Sequence, residues 1–126
     1  MKQILVIEDN VVAASLYRSV LSAAGYQVDV ATDGEEGLAA IQKCHPDLVL
    51  LDLMLPKIEG LEVLRRIRSD PALKSMPVMV TSNAYTTARM DELRAAGATE
   101  ILTKAKITPK EITRVVSTLL NTPKPA

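Results

Sequence analysis

The chain has 126 residues, 15 basic against 15 acidic, with three Tyr and neither Phe nor Trp, which is one domain with one buried core. Its balanced charge gives no electrostatic case for direct nucleic-acid binding or for an anionic membrane surface, and so few rings leave no stacking platform for single strands. The lone Cys44 excludes an internal disulfide, and with no signal peptide and no apolar run of bilayer length the expected location is the reducing cytoplasm.

Five short apolar runs alternate with five segments of helical spacing. The first strand, residues 4–7, reads "ILVI" and ends in Glu8-Asp9. Gly25 closes the first helix, where a left-handed residue is wanted. The second strand, 26–30, alternates as "YQVDV". Asp33 and Glu36 form a capping box for the second helix, near whose end Cys44 packs and His45 faces the last carbonyls or solvent.

The third strand, 48–51, lies in "DLVLLDLMLP", whose Asp52 is an acid in the most apolar stretch of the chain. Leu61, Leu64 and Ile67 then form one face of the third helix. The fourth strand, 78–81, precedes Ser82, and Gly97 closes the fourth helix. The fifth strand, 100–103, precedes Lys104. In "TPKE", Thr108 caps the fifth helix, Pro109 takes its first turn and Glu111 completes the box. Ile112, Val115, Val116 and Leu119 form its apolar stripe. Residues 1–121 are read as the domain, and 122–126 as a polar tail or the start of a linker.

Strands alternating with helices predict an α/β fold with a parallel sheet. "ILVI", "LVLL" and "VMV" are continuously apolar, as strands covered on both faces are, whereas "YQVDV" and "EILT" read as edges. Among doubly wound orders, 2-1-3-4-5 places those two outside. Ligands in such sheets bind beyond the carboxyl ends of the strands, here between the first and third.

That point collects Glu8, Asp9 and Asp52, with Thr81, Ser82 and Lys104 on the neighbouring strand ends. Carboxylates a few ångströms apart repel by roughly 1 to 4 kcal/mol per pair at effective dielectrics of 80 to 20. They require a cation or bound protons. Hard oxygens with open positions suit Mg²⁺, which shares its shell readily with a phosphoryl group, so the expected reaction is phosphoryl transfer.

These residues resemble the receiver domains of two-component response regulators over nearly the whole chain. "ILVIEDN" resembles the family's first strand and acidic pair, and "PDLVLLDLMLPKIEGLEVL" its phosphoacceptor segment, with Pro56 and Gly60 at the family offsets. "PVMVTSNA" and "GATEILTK" resemble its fourth and fifth strands. The resemblance implies a flavodoxin-like, CheY-like three-layer sandwich with Asp52 as the nucleophile. It would take a phosphoryl group from a histidine kinase or phosphotransfer protein, with Mg²⁺ present. Asp9 and Asp52 would bind the ion directly, Glu8 largely through water, and Met54 by its backbone carbonyl. Ser82 and Lys104 would hold the phosphoryl oxygens, with Thr81 pointing inward. A downstream target or effector domain would read the face of helix 4, strand 5 and helix 5, which is also where a homodimer would form. Beyond its own phosphoryl transfer and slow dephosphorylation, no enzymatic turnover is implied.

Some positions depart from the family pattern. Ala105 stands where Pro usually follows the lysine, and because a cis bond before a non-proline costs about 3 to 4 kcal/mol, a trans Lys104-Ala105 bond is expected. Ile101 replaces a common aromatic, so the switch there is expected to be muted. Asn83 replaces a commonly small residue beside the phosphoryl pocket. Ala84 and Met54 position no attacking water, so a long-lived phosphoryl group is expected. Tyr85 is placed to touch a partner or solvent. The chief alternative is a receiver-like interaction module independent of phosphorylation, which usually lacks the acceptor or acidic pair present here. An FMN protein would need a phosphate cradle after the first strand, and a haloacid-dehalogenase phosphatase an Asp-x-Asp; Leu53 and Met54 follow Asp52.

Overall fold

A computed structural model of the chain describes residues 2–83, 87–104 and 107–121. Five strands, β1 (Gln3–Ile7), β2 (Gln27–Ala31), β3 (Leu48–Asp52), β4 (Val78–Ser82) and β5 (Glu100–Thr103), form one parallel sheet in the order β2-β1-β3-β4-β5. The order expected from strand composition is the one found. The helices are α1 (Val11–Ala23), α2 (Gly34–Cys44), α3 (Gly60–Ser69), α4 (Thr87–Ala95) and α5 (Pro109–Asn121).

Two-residue alternation along the central strands divides the core into two layers. Ile4, Val6, Leu48, Leu50 and Met79 face α1 and α5, meeting Tyr17, Leu21, Ile112 and Val116. Leu5, Ile7, Val49, Leu51, Val78 and Val80 face the other way, meeting Ile41 of α2, Leu61, Leu64 and Ile67 of α3, and Leu93 of α4. Each fully buried side chain of this size contributes about 1.5 to 3 kcal/mol relative to exposure. The stripes expected on the third and fifth helices are those that pack.

Local signals fix the helix ends. Asn10 caps α1, its side chain accepting from the Ala13 N–H at 2.9 Å. Asp33 caps α2 by accepting from the Glu36 N–H at 2.7 Å, while the Glu36 carboxylate accepts from the Thr32 hydroxyl at 3.3 Å. Thr108 Oγ1 accepts from the Glu111 N–H at 3.2 Å. Gly25 and Gly97 take positive φ, +97° and +107°, after α1 and α4. Cys44 is the last residue of α2. His45 acts through its backbone: it adopts the left-handed conformation, φ 49°, and its N–H donates to Ile41 O at 3.1 Å.

Five strand boundaries differ from the sequence reading, each by one residue; two of them are the start of β1, at Gln3, and the end of β2, at Ala31. β2 starts one residue later because the Tyr26 N–H donates to Leu21 O at 3.1 Å, so Tyr26 belongs to the exit of α1. β3 and β4 each run one residue further, through Asp52 and Ser82, because Asp52 stays in register with Thr81 and Ser82 with Thr103. The Lys104-Ala105 bond, Ala84, Tyr85 and the tail 122–126 lie outside the described residues.

Candidate functional site

Burial singles out one end of the sheet. The buried polar or charged side chains among the described residues are Glu8, Asp52, Thr81 and Ser82, all at strand carboxyl ends. Register brings them level: Ile7 pairs with Leu51, so Glu8 follows β1 beside Asp52, and Asp52 pairs with Thr81. The Glu8 N–H donates to Ala31 O at 2.9 Å and the Leu53 N–H to Thr81 O at 3.0 Å. These bonds carry the ladders to the edge of the site.

Glu8, Asp9 and Asp52 each offer a carboxylate oxygen, and the three atoms lie within 4.8 Å of one another. Glu8 and Asp52 are 1% and 2% exposed, while Asp9 lies at the surface. The cluster therefore has a buried floor and an open side. Lys104 Nζ lies 2.8 Å from Glu8 Oε1 and 3.2 Å from Asp52 Oδ2, so one ammonium is shared by two carboxylates.

Burial chiefly raises the Glu8 pKa, with Asp52 adding to the rise and Lys104 opposing it. For Lys104, burial is the largest single influence and pulls the pKa down, but Glu8 and Asp52 together outweigh it and the net shift is upward. Both directions report a cluster that holds positive charge tightly. Oxygen-only donors, close spacing and one open side fit a hard divalent cation such as Mg²⁺.

The surrounding loops are fitted to Asp52. The Met54 N–H donates to Asp52 Oδ1 at 3.2 Å, and the Met54 side chain is exposed. Gly60 opens α3 against the end of β3, its N–H donating to Leu53 O at 3.0 Å. A Cβ at position 60 would meet Asp52 O at 2.5 Å and the Leu53 Cα at 2.6 Å, so only glycine allows this approach. Lys57 takes a left-handed turn, φ 66°, and its ammonium lies 3.5 Å from Asp33 Oδ2.

The sequence-predicted metal and phosphoryl residues lie at this end of the sheet. Glu8, Asp9, Asp52 and Lys104 converge directly. Ser82 is buried at the end of β4, and Asn83 follows it, exposed. Ile101 pairs with Val80 and packs into the layer of α2, α3 and α4. Two contributors escaped the sequence reading. The Asn10 N–H donates to Glu8 Oε2 at 3.1 Å, and an Asn before an apolar run was the available signal. Tyr17 lies on the buried face of α1 with Ala14 and Leu21. Its spacing of three and four from them marked it as core but not as a phenol whose pKa is raised by burial and then by the Glu8 charge.

The response regulator receiver domain family model matches residues 4–117. The polar-differentiation response regulator DivK of Brucella ovis is 30% identical over 118 residues, covering 94% of this chain and 96% of that protein. Chemotaxis protein CheY4 of Vibrio cholerae superimposes with a TM-score of 0.89 at 28% identity, covering 95% of this chain and 99% of that one. The Mn²⁺-bound form of response regulator Rcp1 superimposes with a TM-score of 0.85 at 29% identity, covering the whole of both chains.

Proposed function

This chain belongs to the response regulator receiver domain family, and we propose that it accepts a phosphoryl group onto Asp52 from a phosphohistidine on a histidine kinase or phosphotransfer protein. The observation that carries this reading is the convergence of Glu8, Asp9 and Asp52 oxygens within 4.8 Å, with Lys104 against two of them. An Asp52 oxygen forms the new bond to phosphorus. The phosphorus–nitrogen bond of the donor imidazole breaks, and that nitrogen keeps the electron pair and takes up a proton.

Asp9 and Asp52 would hold Mg²⁺ directly, Glu8 through water, and Met54 by its backbone carbonyl. When bound, the ion neutralises the carboxylate repulsion that otherwise opposes attack and shields the phosphoryl oxygens. Ser82 donates to one phosphoryl oxygen and Lys104 leaves its carboxylates to pair with another. The doubly charged group then favours one arrangement of the α4-β5-α5 face, which a downstream target, an effector domain or a second copy reads. With Ile101 on that face, the aliphatic side chain gives a muted switch.

The domain so assigned is residues 1–121, with 122–126 a tail or linker, and it works in the cytoplasm. Intact-mass analysis with a small acyl-phosphate donor and Mg²⁺ tests the reading. The expected result is one phosphoryl adduct on the wild type and none on Asp52→Asn. An adduct that survives the substitution defeats the assignment.

A further inference from the structure

Glu8 is held at both carboxylate oxygens. Lys104 Nζ lies 2.8 Å from Oε1, and Oε2 accepts from the Asn10 N–H at 3.1 Å. The first partner is an ammonium on a long flexible stem, whereas the second is backbone, aimed by whatever fixes the φ and ψ of residue 10. Asn10 stands at φ −76° and ψ 117°; its side chain accepts from the Ala13 N–H and its carbonyl from the Ala14 N–H, each at 2.9 Å. One bond of Asn10 therefore reaches back to Glu8, and two tie it to the first turn of α1. Asp9 is the single residue between Glu8 and Asn10, so the turn that the Asn10 N–H closes also carries Asp9.

We propose that Asn10 is a positioning residue of the acidic cluster: by capping α1 it fixes the N–H that aims the Glu8 carboxylate and closes the turn carrying Asp9. The inference rests on the reading above, in which these carboxylates take up Mg²⁺. A residue at position 10 without a capping oxygen leaves the Ala13 N–H without its acceptor, and the backbone there regains freedom. The Glu8 carboxylate then loses a fixed donor, and the three oxygens hold the spacing a divalent ion needs for less of the time. Groups that orient metal ligands typically govern affinity by about 10- to 100-fold. Glu8 acts through water, so a smaller factor is expected from Asn10.

Calorimetry of Mg²⁺ binding, set beside urea unfolding without Mg²⁺, tests this on Asn10→Ala, Asn10→Gly and Asn10→Ser. The series separates aim from stability, because at an N-cap alanine costs about fivefold in the unfolding constant, glycine less than about twofold, and serine little. Mg²⁺ binding is expected to weaken about threefold to tenfold in both Asn10→Ala and Asn10→Gly, and to return to within about twofold of the wild type in Asn10→Ser. Thr108→Ala, which removes the corresponding cap of α5, is expected to lose stability with its Mg²⁺ affinity unchanged. Affinity that follows stability across the four variants, or that stays at the wild-type value in Asn10→Gly, makes Asn10 a helix cap alone and overturns the proposal. Should Asn10→Ala not fold, Asn10→Gly carries the test. A wild type that binds no Mg²⁺ overturns the proposed metal site and this inference together, whereas failure in the variants alone leaves the proposed function standing.

Discussion

The Lys104 ammonium lies 2.8 Å from Glu8 Oε1 and so occupies the floor of the acidic cluster. A positive charge held there competes with any second cation. Lys104→Ala is expected to tighten Mg²⁺ binding roughly fivefold to thirtyfold, the effect of removing about 1 to 2 kcal/mol of repulsion between like charges. The same variant is expected to lose most of its rate of phosphorylation, because no ammonium then meets the phosphoryl group. Titration calorimetry beside a phosphorylation time course checks both, and weaker Mg²⁺ binding in the variant would show that Lys104 orders the carboxylates instead of competing for them.

Metal binding should appear as stability. An ion that binds only the folded chain stabilises it by about 2.7 kcal/mol at a hundredfold excess over its Kd. Thermal unfolding with Mg²⁺ and with a chelator is expected to differ by several degrees for the wild type and much less for Asp9→Asn. The chelated protein should still fold, because its core is apolar and complete without the ion. Equal shifts in the two proteins would remove Asp9 from the ligand set.

Gly60 is fitted against the backbone of Asp52 and Leu53. Gly60→Ala places a methyl group where backbone must yield, and overpacking of this kind costs about 1 to 3 kcal/mol. Urea denaturation should show that loss, together with slower phosphorylation as the end of β3 shifts. A change below about 0.5 kcal/mol would mean that α3 can move away from β3 freely.

The Asp33 carboxyl is held below its ordinary value of 3.8, first by the Glu36 N–H and then by Lys57. A lowered carboxylate pKa means that the unfolded chain binds the proton more readily. The stabilisation is therefore complete above about pH 3.8 and is lost as pH falls through the lower folded value. Asp33→Asn keeps a capping oxygen but does not titrate. The stability difference between wild type and variant is expected to be constant near neutrality and to shrink below the ordinary carboxylate value. A difference that stays constant down to acid unfolding would rule out this linkage.

The strands, their order and the end of the sheet that carries the site were legible in the sequence, because burial on one or both faces is written into each strand's own pattern. "LVLL" is apolar throughout since both its faces are covered, and "YQVDV" alternates since it is an edge. Chain order and the handedness of crossovers then bring Glu8, Asp9, Asp52 and Lys104 to one edge. The boundaries were less exact for a related reason. Tyr26 suits a strand by propensity, but its N–H is claimed by Leu21 O, a competition between two local structures that composition does not rank.

The pairings within the site were decided by tertiary structure alone. Nothing local to Lys104 says that it meets Glu8 and Asp52, 96 and 52 residues away, nor that Asn10 turns its N–H back onto Glu8. Nothing local to Thr81 says that its hydroxyl ends up buried beside Asp52. Each of these depends on the register of strands distant in sequence and on how deeply a helix seats against them. A sequence pattern states which face of an element is buried, but only the packed fold fixes which atoms on that face come within reach of one another.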